Sequence, residues 1–156
     1  MANTYTQINI QAVFSVKGRQ NILSREIRPE LFKYMSGIIL KMGLFPLAVN
    51  GWKDHVHLFF EMNNDIPLSK VMNVVKTNSS KWLNINHFKN TKFQWQSGYS
   101  GFSYSRSQRD HVINYIMNQE KHHQDKQNTF KKEYLLLLEK FDIKYRPDYL
   151  FEFYGE

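Results

Sequence analysis

The stretch LFPLAVNGWKDHVHLFFEM, residues 44–62, holds two runs of strand-forming residues on either side of a short polar break. Leu44 to Trp52 and His55 to Met62 read as strands and Lys53-Asp54 as the turn between them, so a β-hairpin is predicted. Along the second strand Val56, Leu58 and Phe60 share one side, and His55 and His57 share the other. The apolar side is the core side. Two imidazoles about 6.5 Å apart can converge on one metal ion at ~2.0–2.2 Å, given a third ligand from another element. Taken alone, His-x-His is more commonly a hydrogen-bonded pair on the open face of a sheet.

Before the hairpin, Ile8, Ile10, Ala12, Phe14 and Val16 alternate with mostly polar residues, the pattern of a half-buried strand. A helix follows: Ser24 is placed to cap it, Pro29 suits its first turn, and Leu31, Phe32, Met35, Ile38, Ile39 and Met42 recur at helical spacing up to Gly43. After the hairpin, Pro67 opens a second helix to about Ile85, with Val71, Met72, Val75 and Leu83 on its buried stripe. Phe93 to Tyr104 then reads as an aromatic strand bent at Gly98 and Gly101. The order strand, helix, strand, strand, helix, strand predicts an α+β fold: a ferredoxin-like, RRM-like antiparallel sheet with helices on one face and the other face open.

Ser105 and Ser107 both start capping-box patterns for a third helix over 107–123, SQRDHVINYIMNQEKHH. Val112, Ile113, Ile116 and Met117 form its apolar stripe, while His111, Tyr115, Asn118, Gln119 and His122 cluster opposite. The i to i+4 spacing of Tyr115 and Gln119 projects a phenol and an amide oxygen together. A fourth helix over Phe130 to Lys140 and an aromatic tail, Tyr145 to Tyr154, complete the chain. One domain over 1–156 is expected, with a ferredoxin-like core to 104, the tyrosine helix over 105–123 and the last helix and tail over 124–156.

Composition narrows the function. The 156 residues are 42% hydrophobic and 15% aromatic, enough for a sizeable single core. Lys and Arg outnumber Asp and Glu by 21 to 14, a net charge of +7 that points to an anionic partner, nucleic acid first. The absence of cysteine excludes disulfide scaffolds and thiolate zinc sites. No early apolar segment and no apolar run near ~18 residues is present, so a cytoplasmic protein with no membrane partner is expected.

His55-Val56-His57 resembles the histidine-hydrophobic-histidine signature of HUH endonucleases. NYIMNQEKHH resembles the helix that carries the single catalytic tyrosine of the small insertion-sequence transposases. WQSGYSGFSYS, residues 95–105, is similar to the stretch before that helix in these proteins and in the related REP-associated tyrosine transposases. The resemblance runs from TYTQINIQAVFSVKGR to about Phe153. It implies that Tyr115 is the nucleophile and that His55, His57 and Gln119 hold a divalent metal, Mg²⁺ or Mn²⁺. It also implies a single-stranded DNA substrate with hairpin ends, cleaved and rejoined through a 5′-phosphotyrosine, and a homodimer whose tyrosine helix serves its own or its partner's histidine pair. Chemically the two imidazoles favour Mn²⁺, Co²⁺ or Zn²⁺, and only the resemblance favours Mg²⁺.

Lys17, Arg19, Lys53, Lys76, Lys81, Arg106 and Arg109 are candidate phosphate contacts, with Trp95, Tyr99 and Phe102 as candidate base-stacking residues. Two other readings stand beside the transposase: a domesticated HUH nickase or replication initiator with the same chemistry, and a non-catalytic nucleic-acid-binding module that uses an open RRM-like sheet face.

Overall fold

The computed structural model describes residues 3–146; most of the aromatic tail expected over Tyr145 to Tyr154 lies outside them. The strands are β1 (Ile8–Ser15), β2 (Phe45–Gly51), β3 (His55–Met62) and β4 (Ser100–Tyr104), and the helices are α1 (Ile27–Lys41), α2 (Leu68–Asn86), α3 (Arg109–Met117), α4 (Gln119–Gln124) and α5 (Phe130–Lys140). The four strands form one antiparallel sheet in the order β2-β3-β1-β4. This is the ferredoxin-like arrangement that the strand and helix order predicts.

The hairpin is where residues 44–62 place it. Gly51 pairs with Val56, and the Trp52 N–H donates to the His55 carbonyl at 3.0 Å. Only glycine fits at 51, because a Cβ there would collide with that same carbonyl oxygen. Helix α1 starts differently from expectation: the Ser24 backbone carbonyl, not its hydroxyl, accepts the N–H groups of Ile27 (3.1 Å) and Arg28 (3.0 Å). Gly43, at φ 78°, ends it as anticipated. The strand expected over Phe93 to Tyr104 is shorter. Only Ser100–Tyr104 pairs with β1, an isolated bridge joins Val16 and Trp95, and Gly98 at φ 89° turns the chain between them.

Helices α1 and α2 cover one sheet face, where Ala12, Phe14, Val56, Leu58 and Phe60 meet Leu31, Met35, Ile39, Val71, Met72 and Val75. The opposite face, expected to be open, is covered too. Val13, Phe59, Phe102 and Tyr104 pack there under Val112, Ile116, Phe130, Tyr134, Leu137 and Leu138 of α3 and α5. The reason is apolar area: Phe59, Phe102 and the stripe of α5 have no other place to leave water. The RRM-like reading thereby loses the exposed surface on which it depends. Between those apolar residues the covered face carries a buried polar set, Asn9, Gln11, Ser15, His55 and His57.

The third helix is not continuous. It breaks at Asn118 (φ −94°, ψ 13°), where the Asn50 side-chain amide from β2 donates to the carbonyls of Ile116 (3.0 Å) and Met117 (3.2 Å). Those two carbonyls are α3's last, and a neighbouring strand satisfies them. Among the described residues no helix is long and apolar enough to cross a membrane.

Candidate metal and tyrosine site

His55 and His57 are fully buried, because β3 presents them to the underside of α3–α5 rather than to solvent. The His55 ring stacks on Phe130, with centroids 4.0 Å apart and planes at 11°. Its Nδ1 lies 2.7 Å from Asp54 Oδ1, which turns Nε2 toward the helices. His57 Nδ1 lies 2.8 Å from Gln11 Nε2, and Gln11 Oε1 accepts the Tyr104 hydroxyl at 2.7 Å. Both rings are held at Nδ1 by a second residue, and the Asp54 carboxylate on His55 is the usual way an imidazole is aimed at an ion through its other nitrogen.

What the two Nε2 atoms face is Glu133 of α5, which is 6% exposed. Its Oε1 lies 3.3 Å from His55 Nε2, 3.2 Å from His57 Nε2 and 3.1 Å from His123 Nε2. Its Oε2 accepts the Tyr115 hydroxyl and, at 2.7 Å, the Gln119 side-chain N–H. Gln119 Oε1 in turn lies 3.0 Å from His55 Nε2. Tyr115, His55, His57 and Gln119, singled out in the sequence, therefore meet within one cluster. Tyr115 does not stand off the core as the helical wheel suggested. Its ring packs edge-on to His57 at 5.9 Å, since α3 lies on the sheet face that the wheel left open. Met117, assigned to the apolar stripe, is 56% exposed, and Gln119 is fully buried.

The electrostatics follow from one carboxylate among imidazoles. Burial opposes a charged His55, but the Asp54 and Glu133 carboxylates outweigh it and raise its pKa to about 9. For His57 burial prevails over Glu133 and the pKa falls. Burial disfavours ionised Glu133, yet the surrounding His57, His123 and His55 hold it well below the usual carboxylate range. The Tyr115 phenol is driven far upward, by burial first and by the Glu133 charge second, so at rest it is protonated. A pocket of about 240 Å³ reaches Tyr115 and Glu133 from outside, past His111, His122 and Lys140.

Sequence reasoning missed Glu133, His123, Asp54 and Gln11. Glu133 left one trace, an acidic residue on the apolar stripe Phe130, Tyr134, Leu137, Leu138. His123 was visible only as part of the His122-His123 pair; it bridges Asn128 O (2.6 Å from Nδ1) and Glu133.

The other candidates divide. Lys17, Lys76 and Trp95 line one cavity of about 730 Å³ together with Lys92, Gln94 and Gln96. The Lys76 ammonium donates to the carbonyls of Gln96 (2.7 Å) and Gly98 (2.8 Å), and partial burial lowers its pKa to about 8. Lys53, Lys81 and Arg106 are exposed and separate from this cavity; Lys53 lies over the Trp52 ring at 5.3 Å. The Arg19 side chain lies outside the described residues. Arg109 is engaged with Asn9 (2.9 Å), Gln7 (2.9 Å) and Glu61 (3.2 Å), so it ties α3 to the sheet. Phe102 is 1% exposed within the second core and closed to a stacking base, and Tyr99 is partly buried against the first core.

Residues 4–119 match the family model described as "Transposase IS200 like". No curated protein sequence matches the chain. Among solved structures, a Deinococcus radiodurans protein provisionally assigned as a transposase superposes with a TM-score of 0.61 at 19% identity, over 75% of this chain and 94% of its own. A REP-associated tyrosine transposase bound to a REP hairpin superposes with a TM-score of 0.57 at 12% identity, over 78% of this chain and 72% of its own. Those two likenesses speak to the fold, and the family match, which spans most of the sequence, gives the assignment: this chain belongs to the IS200-like transposases.

Proposed function

We propose that this transposase binds single-stranded DNA at hairpin-bearing element ends and cleaves and rejoins it through a 5′-phosphotyrosine on Tyr115. One observation carries the reading: the Tyr115 hydroxyl, the His55 and His57 Nε2 atoms and the Gln119 amide all converge on one buried point. Two aimed imidazoles and an amide oxygen form a donor set suited to a divalent cation, Mn²⁺ or Mg²⁺, held by His55, His57 and Gln119. When bound, such an ion would draw charge from the scissile phosphate and offset the Glu133 charge that, after burial, raises the Tyr115 pKa.

Tyr115 Oη attacks phosphorus, the bond to the 3′ oxygen breaks, and the phenol proton ends on the released 3′-hydroxyl by way of solvent. Energy of the cleaved linkage is kept in the phosphotyrosine, so another 3′-hydroxyl reverses the step without ATP. Gln119 keeps Tyr115 in place through their shared acceptor, Glu133. The pocket rimmed by His111, His122 and Lys140 is the route by which the phosphate reaches Tyr115. Lys17, Lys76 and Trp95 supply a second basic, aromatic surface for the strand.

The active unit is a homodimer in the cytoplasm. Contact between Tyr115 and Glu133 of the same chain supports a cis arrangement of the resting protein. A nickase or replication initiator would cut in the same way and differ in the fate of the 3′-hydroxyl. The test is incubation of labelled single-stranded DNA carrying an element end with Mn²⁺ or Mg²⁺, followed by denaturing electrophoresis. A covalent protein–DNA band that needs metal is expected, with loss of the band and retention of binding in Tyr115→Phe; joined product separates a transposase from a nickase. An adduct formed by Tyr115→Phe would falsify the choice of nucleophile.

A further inference from the structure

Glu133 lies beyond residue 119, where the family match stops, yet it stands at the centre of the cluster. Two ligand atoms bound to one ion at ~2.1 Å stand about 3.0 Å apart at an octahedral edge and about 3.4 Å apart at a tetrahedral one. Around the two histidines the separations are of that size: His55 Nε2 to Gln119 Oε1 is 3.0 Å, His55 Nε2 to Glu133 Oε1 is 3.3 Å and His57 Nε2 to Glu133 Oε1 is 3.2 Å. His55, His57 and Glu133 each offer a ligand atom within 4.8 Å of the others, and all three residues are buried.

The carboxylate is positioned by the packing of its helix. Helix α5 is fixed at its start by the Thr129 hydroxyl, which accepts the Lys132 N–H at 3.2 Å, and is held down by buried Phe130, Tyr134, Leu137 and Leu138. Glu133 projects from the same face, which sets its carboxylate beside the histidines. Oε1 addresses the imidazoles, and Oε2 takes the Tyr115 and Gln119 hydrogen bonds. A single side chain therefore faces both the ion position and the nucleophile.

We propose that Glu133 is a protein ligand of the divalent metal, binding through Oε1 while Oε2 holds the Tyr115 hydroxyl, so that α5 completes a centre of two imidazoles, an amide and a carboxylate. The inference rests on the metal reading given above and extends it to a residue outside the family match. An anionic oxygen ligand makes the centre harder than a His pair alone and turns it toward Mn²⁺ and Mg²⁺. A site closed by Glu133 also sets the distance from ion to phenol without a contribution from DNA.

Mn²⁺ titration of the full chain, with free ion counted by its paramagnetic resonance signal, tests this without any cleavage assay. Glu133→Gln keeps the size and the hydrogen-bonding reach of the side chain. It is expected to weaken Mn²⁺ at least about 100-fold, the upper end of what loss of a mere supporting residue costs. Whatever Mn²⁺ still binds should carry about one more coordinated water, read from solvent proton relaxation. Glu133→Asp, which keeps the charge but shortens the arm, should fall between the two, and circular dichroism confirms that each variant is folded. Unchanged or tighter Mn²⁺ binding by folded Glu133→Gln would overturn the ligand role and make Glu133 a plug in an otherwise adequate site. If the wild type binds no Mn²⁺, the metal reading and this inference fall together; if the wild type binds and Glu133→Gln binds equally, only the inference falls.

Discussion

Replacing His55 by Ala in chelator-treated protein tests whether α3–α5 sit on the sheet in solution. The side chain is fully buried, stacked on Phe130 and 2.7 Å from the buried Asp54 carboxylate. Removing one member of a buried ion pair costs about 3–5 kcal/mol. Proton linkage gives a compatible figure. Raising the His55 pKa from 6.5 to about 9 is worth roughly 3 kcal/mol when the group is charged. Because the folded value is the higher one, this stabilisation is fully present below pH 6.5 and is lost as pH rises through about 9. The variant should therefore lose about 4 kcal/mol at pH 6, roughly 10 °C in melting temperature for a chain of this size. At pH 9.5 to 10 only the cavity left by the ring should remain, about 1–2 kcal/mol. Thermal melts by circular dichroism at the two pH values measure both. A loss under about 1 kcal/mol at pH 6 would refute the reasoning, because it would mean that His55 faces water and the helical layer is not seated over β3.

Two further outcomes are expected. Val56→Asp places a carboxylate among Phe14, Leu31 and Met35 on the other side of the same strand; an unpaired buried charge costs several kcal/mol against a total of about 5–15, so the variant should be unfolded at 37 °C by circular dichroism. For Lys76, whose pKa is lowered to about 8 by burial, the charge is present below that pH and lost above it; Lys76→Met should bind single-stranded DNA more weakly than wild type at pH 7, with a salt slope smaller by about one, and equally at pH 9.5. A gap as wide at pH 9.5 as at pH 7, in fluorescence-anisotropy titrations, would remove Lys76 from the DNA surface.

The half of the fold that packs under α1 and α2 was legible because its signals are local. Period-2 alternation in β1, the Lys53-Asp54 turn and the α1 and α2 stripes each declare a face within about ten residues. His55, His57, Tyr115 and Gln119 were legible as a candidate site for a similar reason, through short spacings on one strand and one helix. The second layer was not. Nothing within 107–123 reveals that Asn50, more than fifty residues earlier, ends α3 at Met117. Alternation in β1 even misleads, because the polar Asn9, Gln11 and Ser15 are as buried as their apolar neighbours once a second layer covers them. Glu133 sits in a different helix from every residue of the motif, and an acidic side chain four residues after a helix cap is ordinarily a surface group, so only the packing of α5 shows its place.

The way the cluster is assembled bears on when in the protein's life it can act. Its members come from β1, β3, α3, α4 and α5, with Gln11 near one end of the chain and Glu133 near the other, and β1 pairs with β4 across a sequence gap of the same order. Contacts so distant in sequence form late and slowly, since the chain must close its longest loops before they reward it. Tyrosine, imidazoles and carboxylate can therefore come together only after α5 has been synthesised and has docked on the sheet. A nascent or half-folded copy holds every residue of the motif and none of its geometry, so the cluster arises in a single step with the native state.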